Sequence, residues 1–297
     1  MSRWLTGALI LSLLSLFSAP SFGAEPALWR VEQPQSGARL YLFGSLHFGA
    51  ESFYPLPGRV LAAYQESDVL AVELDSDSLP PNLARQAVRR LGQYSENRNL
   101  SQHLDPELWF QLQHQSQALG LDPEQWLNIK PWLAALQLVS LQVSLSGYQQ
   151  SLGLDSYFLG LARADQNTEI RELETLEQQL ALFAGLSERQ QNDFLARTLQ
   201  DFDAGSAYLS ALAQAWQVGD VEALEKAVLG AFNEEDYSQK LYHRVFRLRN
   251  KAMVEVLDGY LNQGEKVFLV VGVGHLLGED GLVNLLGQQG YRVSRVD

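Results

Sequence analysis

The chain has no cysteine among its 297 residues. That absence excludes a disulfide framework, a lipid-modified cysteine and every thiolate metal site, so any metal must be held by His, Asp or Glu. Positive charge is also scarce: 22 Lys and Arg stand against 35 Asp and Glu, a formal net charge of −13. An extended phosphate backbone would be repelled, which argues against nucleic acid as a partner. Beyond the N-terminus no apolar run approaches the ~20 residues a helix needs to span a bilayer. The start of the chain differs. Arg3 precedes an apolar run over residues 5–17, and Ser21-Phe22-Gly23 has the small-residue spacing of a cleavage site. Residues 1–23 are expected to be a signal peptide, and residues 24–297 an exported protein, periplasmic or secreted, with no membrane span after cleavage.

What is present is an ordinary globular balance, 46% hydrophobic and 19% charged, with material for a sizeable core. Residues 27–30 and 40–43 flank the turn-rich Gln33-Pro34-Gln35-Ser36-Gly37 and predict a β-hairpin. Helical spacing over 60–67 leads to the apolar run 69–72, closed by Glu73, which predicts a helix followed by a buried strand. From about 79 to 261 the pattern is helical, with Asp105-Pro106-Glu107, Asp122-Pro123-Glu124 and the capping-box sequence Ser187-Glu188-Arg189-Gln190 as helix starts. Residues 168–174 interrupt it as a candidate short strand ending in acids. A long helix over 237–262 stops at Gln263-Gly264, and 266–271 predicts another buried strand, followed by a helix over 281–289 and a last strand from Gly290. An α/β fold results, its central sheet built from N- and C-terminal strands with a large, mostly helical insertion between them.

Two of the five histidines share one context. Gly44-Ser45-Leu46-His47 and Gly272-Val273-Gly274-His275 each follow an apolar strand, the glycine permitting a turn or a close backbone approach. Both imidazoles would then lie beyond the carboxyl ends of strands, where open α/β sheets place ligands, and Glu73 would join them from a third strand. Two imidazoles and a carboxylate suit a divalent cation (Mn, Co, Zn or Fe) or acid/base work on bound water. The alternative is that each histidine is a turn residue bonding its own backbone. His103, His114 and His243 read as surface or cap residues, and Asp75 and Asp77 as solvated loop acids.

The order of motifs along most of the mature chain resembles the TraB/GumN family, related to the Tiki metalloproteases and the ChaN/erythromycin-esterase-like fold. They are Leu42-Phe43-Gly44-Ser45-Leu46-His47, Val72-Glu73-Leu74-Asp75, Gly153-Leu154-Asp155-Ser156-Tyr157-Phe158, Leu173-Glu174-Thr175-Leu176-Glu177-Gln178-Gln179, Arg249-Asn250-Lys251-Ala252-Met253, and Val271 to Gly278 with Gly290-Tyr291. The resemblance implies one domain over 24–297, with His47, Glu73 and His275 as the central site and Glu174, Arg249 and Asn250 beside it. Arg249 is suited to neutralising a carboxylate or binding a carbonyl oxygen, with a helix-surface salt bridge to Glu255 or Asp258 as the alternative. For Glu174 the alternative is a helix N-terminal acid, and Met253 reads as core.

Two functions follow. One is a metal-dependent hydrolase of peptides, in which His47, Glu73 and His275 hold the metal or its water while Arg249 stabilises the oxyanion. The other is a non-catalytic envelope protein that binds a peptide, haem or another small ligand in the same crevice.

Overall fold

The structure, a computed structural model, describes residues 24–296 apart from 34, 76, 77, 96, 166, 231 and 233–235. The expected signal peptide and Asp77 lie outside the described residues. The hairpin forms as β1 (Leu28–Glu32) and β2 (Arg39–Ser45), paired antiparallel across a turn in which Gly37 has φ +71°. Next come α1 (Gly58–Gln65) and β3 (Val69–Val72), then helices α2 (Pro81–Gly92), α3 (Pro106–Ala118), α4 (Pro131–Leu145) and α5 (Leu154–Asp165). The acidic interruption is a strand, β4 (Glu169–Glu172), after which α6 (Leu176–Ala184), α7 (Glu188–Gln200), α8 (Gly205–Gln217), α9 (Val221–Leu229), α10 (Asp236–Tyr242) and α11 (Leu248–Asn262) follow. The chain closes with β5 (Lys266–Gly272), α12 (Leu282–Gln288) and β6 (Arg292–Arg295).

All six strands form one sheet in the order β4-β3-β5-β2-β1-β6. The first four are parallel neighbours, while β1 runs antiparallel to both β2 and β6. The late strand β5 is therefore central, hydrogen-bonded to β2 on one side and β3 on the other. Its continuous apolar run is what a strand covered on both faces requires. Phe268 and Val270 enter one core with Tyr41, Phe43, Leu70, Val72 and Phe158, while Val267, Leu269 and Val271 enter another with Leu40, Leu42, Met253 and Leu257. A third core, around Leu112, Trp126, Trp132, Leu138 and Leu195, belongs to the helical insertion.

The helix starts respond to their chemistry. The Asp105 carboxylate caps α3 by accepting from the Leu108 N–H at 2.9 Å, and Ser187 and Gln190 form a reciprocal capping box on α7. Asp122 caps only the 3₁₀ turn Pro123–Trp126, and the next long helix begins at Pro131. The helix expected over 237–262 contains a π turn, His243–Arg247, between α10 and α11. Its stop is as expected, with Gly264 at φ +79°. Among the described residues no helix is long and apolar enough to cross a membrane.

Candidate active site

Each of the four parallel strands delivers one polar side chain just past its carboxyl end: His47 after β2, Glu73 after β3, Glu174 after β4 and His275 after β5. Backbone pairing fixes their relative heights. The Leu173 and Glu174 N–H groups donate to the carbonyls of Val72 and Glu73, both at 2.9 Å, extending the β3–β4 ladder to the two acids. His275 sits in the 3₁₀ turn Val273–Leu276, directly after β5. The turn carrying His47 is docked by the Leu154 N–H, which donates to the Leu46 carbonyl at 3.2 Å.

Glu73 is the hub, 6% exposed. Its Oε1 accepts from the Gly272 N–H at 2.7 Å, and its Oε2 accepts from Arg249 Nη2 and from Gln179 at 3.3 Å. Arg249 also grips Glu174 through Nε at 2.6 Å and Nη2 at 2.7 Å, and gives Nη1 to the Val245 carbonyl. Arg249 thus pairs with neither Glu255 nor Asp258, and Glu174 is a buried ion-pair partner. With its donors committed to two carboxylates, the guanidinium organises the site instead of standing free for an oxyanion.

The two histidines are oriented from behind. Asn250 Nδ2 donates to the carbonyls of Asp280 and His275, which turns its Oδ1 toward His275 Nδ1 and makes that nitrogen the donor. His275 Nε2 then faces Glu73 Oε1 at 3.7 Å, with Phe246 edge-on to the ring at 5.2 Å. His47 Nδ1 donates to Asp155 Oδ2 at 3.0 Å, and Ser45 Oγ donates to the other carboxylate oxygen at 2.9 Å. The opposite edge of the His47 ring faces Glu73 across Gly272. A Cβ built on Gly272 would lie 3.2 Å from His47 Nε2 and 3.3 Å from Glu73 Oε1.

These surroundings drive the protonation states apart. Asp155, then the partial burial that opposes it, then Glu73, bring His47 to about 9; its side chain is 65% open to solvent, so water screens part of that pull. Burial outweighs the Glu73 charge at His275 and lowers it to about 4. Burial pushes Glu73 up, but His275, His47, Arg249 and the Gly272 N–H bring it down to about 2. Because His275 loses its proton near pH 4, the neutral-pH charge of Glu73 rests on Arg249, His47 and that N–H.

The donor types suit a metal, yet their arrangement does not. Glu73 is spent on Arg249, Gln179 and Gly272, and His47 Nδ1 on Asp155. Among the described residues no group of three or more His, Cys, Asp or Glu stands where it could hold an ion. The expected metal set is therefore brought together around Glu73, each member held by hydrogen bonds to residues outside the set: Glu73 by Arg249, Gln179 and the Gly272 N–H, His47 by Asp155 and His275 by Asn250.

Another expectation needs correction. Asp75 is buried at 6% and paired with Arg163, because it closes the end of β3 against α5. The histidine expectations hold: His103 caps the 3₁₀ turn Leu100–Gln102, where it also stacks on Tyr94 at 4.6 Å and pairs with Glu188 at 2.8 Å, and His114 and His243 are exposed. Sequence spacing assigns no role to Asp155 or Gln179, although both lie within the motifs. The available signal for Asp155 was an acid at the first turn of a helix beside two glycine-bearing motifs.

A cavity of about 1130 Å³ between α3 and α7 shares no residue with this cluster. A cleft of about 640 Å³ between α6 and α11 does, through Glu174 and Arg249.

The chain matches the TraB/PrgY/gumN family over residues 27–295. It is 25% identical over 246 residues to the uncharacterized protein YbaP of Escherichia coli (strain K12) and equally to YbaP of Shigella flexneri, a stretch covering 83% of this chain and 87% of each relative. No solved structure matches it. With nearly every described residue inside the match, and all of the clustered polar side chains among them, the chain belongs to the TraB/PrgY/gumN family.

Proposed function

We propose that this protein is an exported hydrolase of peptide bonds in which His275, Glu73 and His47 activate a water molecule. One observation carries the reading. At neutral pH both His275 Nε2 and Glu73 Oε1 are acceptors, and they face each other at 3.7 Å. A water that donates to both lies beside the pair, off the line that joins the two atoms. Neutral His275 is the base that takes a proton from water, its tautomer held by Asn250. Cationic His47, held by Asp155, faces the same point and supports the developing oxyanion or returns a proton to the leaving amine. Two titratable groups pushed to opposite protonation states suit an acid/base pair. Arg249 keeps Glu73 ionised and is a positioning residue.

A divalent ion enters this reading only if Glu73 exchanges Arg249 and Gln179 for it, so metal dependence is an arm of the test. Purified protein is assayed against a peptide library with chelator, and with added Mn, Co, Zn or Fe, beside His47→Ala, His275→Ala and Glu73→Gln. The expected result is cleavage that each substitution lowers by at least ~100-fold, as loss of acid/base help does. Metal content of the active sample then separates the metal-free and metal-dependent forms. Haem or peptide binding without cleavage under any of these conditions would overturn the hydrolase in favour of a binding protein.

A further inference from the structure

The cleft between α6 and α11 borders the cluster without belonging to it. Glu174 and Arg249 form its inner wall, and each is about one-tenth exposed, so the ion pair that holds Glu73 also closes the cleft. Of the remaining lining, Leu173, Ala181, Leu182, Leu248, Ala252 and Met253 are apolar, and Gln178, His243 and Arg244 add polar groups. Leu248 is 52% exposed, a large apolar side chain left facing the opening. The π turn immediately before α11 adds a residue to the helix here, at the point where Arg249 and Leu248 must take their places, and π turns recur at functional sites. At about 640 Å³ the cleft is within the ~300–1,000 Å³ range of ligand sites and larger than one side chain needs.

We propose that this cleft is a specificity subsite that seats a short apolar segment of a peptide next to the Glu73 cluster. The choice of occupant rests on the reading of that cluster as a peptide hydrolase, and on the wall the two share. An apolar segment covers Leu248 and Ala252, while the peptide backbone continues past the Glu174–Arg249 pair toward His47.

Binding tests it without requiring turnover. The chain has only two methionines, Met1 and Met253, so methyl-¹³C-methionine labelling makes Met253 a reporter inside the cleft wall. Blocked Gly/Ser hexapeptides carrying a central Leu-Phe pair are titrated against the same peptides carrying Ser-Asn. The Leu-Phe peptide is expected to shift the Met253 methyl saturably and at least tenfold more tightly. Leu248→Glu and Ala181→Trp, both at exposed positions, should each weaken it by at least tenfold, while Val218→Glu, exposed and outside the cleft, leaves binding unchanged. Equal binding of the two peptides, no saturable shift, or indifference to both cleft variants would overturn the subsite. Cleavage without apolar preference would sink the subsite and leave the hydrolase standing. Tight apolar binding without cleavage would do the reverse.

Discussion

Gly44 and Gly272 occupy the same place in the two glycine–histidine motifs, yet space constrains them differently. Neither has a positive φ. A Cβ on Gly44 would meet Val273 at 2.8 Å from its Cγ2 and 3.1 Å from its Cα, so backbone would have to move. Gly44→Ala is expected to cost about 1–3 kcal/mol, the usual penalty of overpacking, measured by urea denaturation. The methyl of Gly272→Ala would instead first meet the tips of His47, which can swing toward solvent, and of Glu73, at 3.2 and 3.3 Å. That variant should keep its urea midpoint near wild type and lose hydrolysis. A Gly272→Ala protein with full activity would show that the Glu73–His47 contact is not where chemistry occurs. Arg249 predicts the opposite balance. Arg249→Met leaves Glu174 buried without a cation and Glu73 with His47 alone, and breaking such a pair costs about 3–5 kcal/mol. A loss under 1 kcal/mol would mean the two acids find water or each other at little expense.

At the level of elements, α5 is the lever that aims Asp155 at His47. Phe158, one turn on, is fully buried and packs its ring at 5.3 Å from Phe43 and 4.8 Å from Phe268. Phe158→Ala should therefore destabilise the fold by about 3–5 kcal/mol, as loss of a buried ring does. It should also lower His47-dependent activity beyond what the unfolded fraction explains, because α5 loses its anchor on the sheet. Activity per folded molecule equal to wild type would show that the Leu154–Leu46 contact alone suffices. The strands were readable in the sequence because β2, β3 and β5 are unbroken apolar runs, and a run buried on both faces leaves no other choice. Their meeting on one edge was readable from the residues that follow each of them. The π turn was not, since one added residue leaves the apolar spacing of α10 and α11 nearly intact. Nor were the partners of Arg249. Its bonds cross 176 residues to Glu73 and 75 to Glu174, and helical spacing points instead to Glu255 or Asp258.

Across the whole molecule the site depends on the sheet far more than on the insertion that interrupts it. β5 is the last of the four parallel strands in sequence and lies between β2 and β3, so the cluster cannot assemble before β5 has docked. The insertion keeps its own core around Trp126, Trp132 and Leu195, yet the residues it lends to the site lie at its border with the sheet. Asp155 is carried by α5, whose Leu154, Phe158 and Leu159 belong to a sheet core, and Glu174 follows β4, paired to β3. Helices α3, α4 and α7 can thus open without dismantling the cluster. Local openings follow contiguous packing units, and strands covered on both faces open last. Hydrogen exchange followed by mass spectrometry is therefore expected to show β5, β2 and β3 as the slowest segments, with β4 and β6, the two edges, faster. Buried helical segments over residues 106–145 and 188–200 should exchange as a group at a lower opening free energy than β5. If those helices and β5 exchanged with one common free energy, the insertion would be part of a single cooperative unit. Core substitutions near Trp132 would then reach the site as strongly as Phe158→Ala.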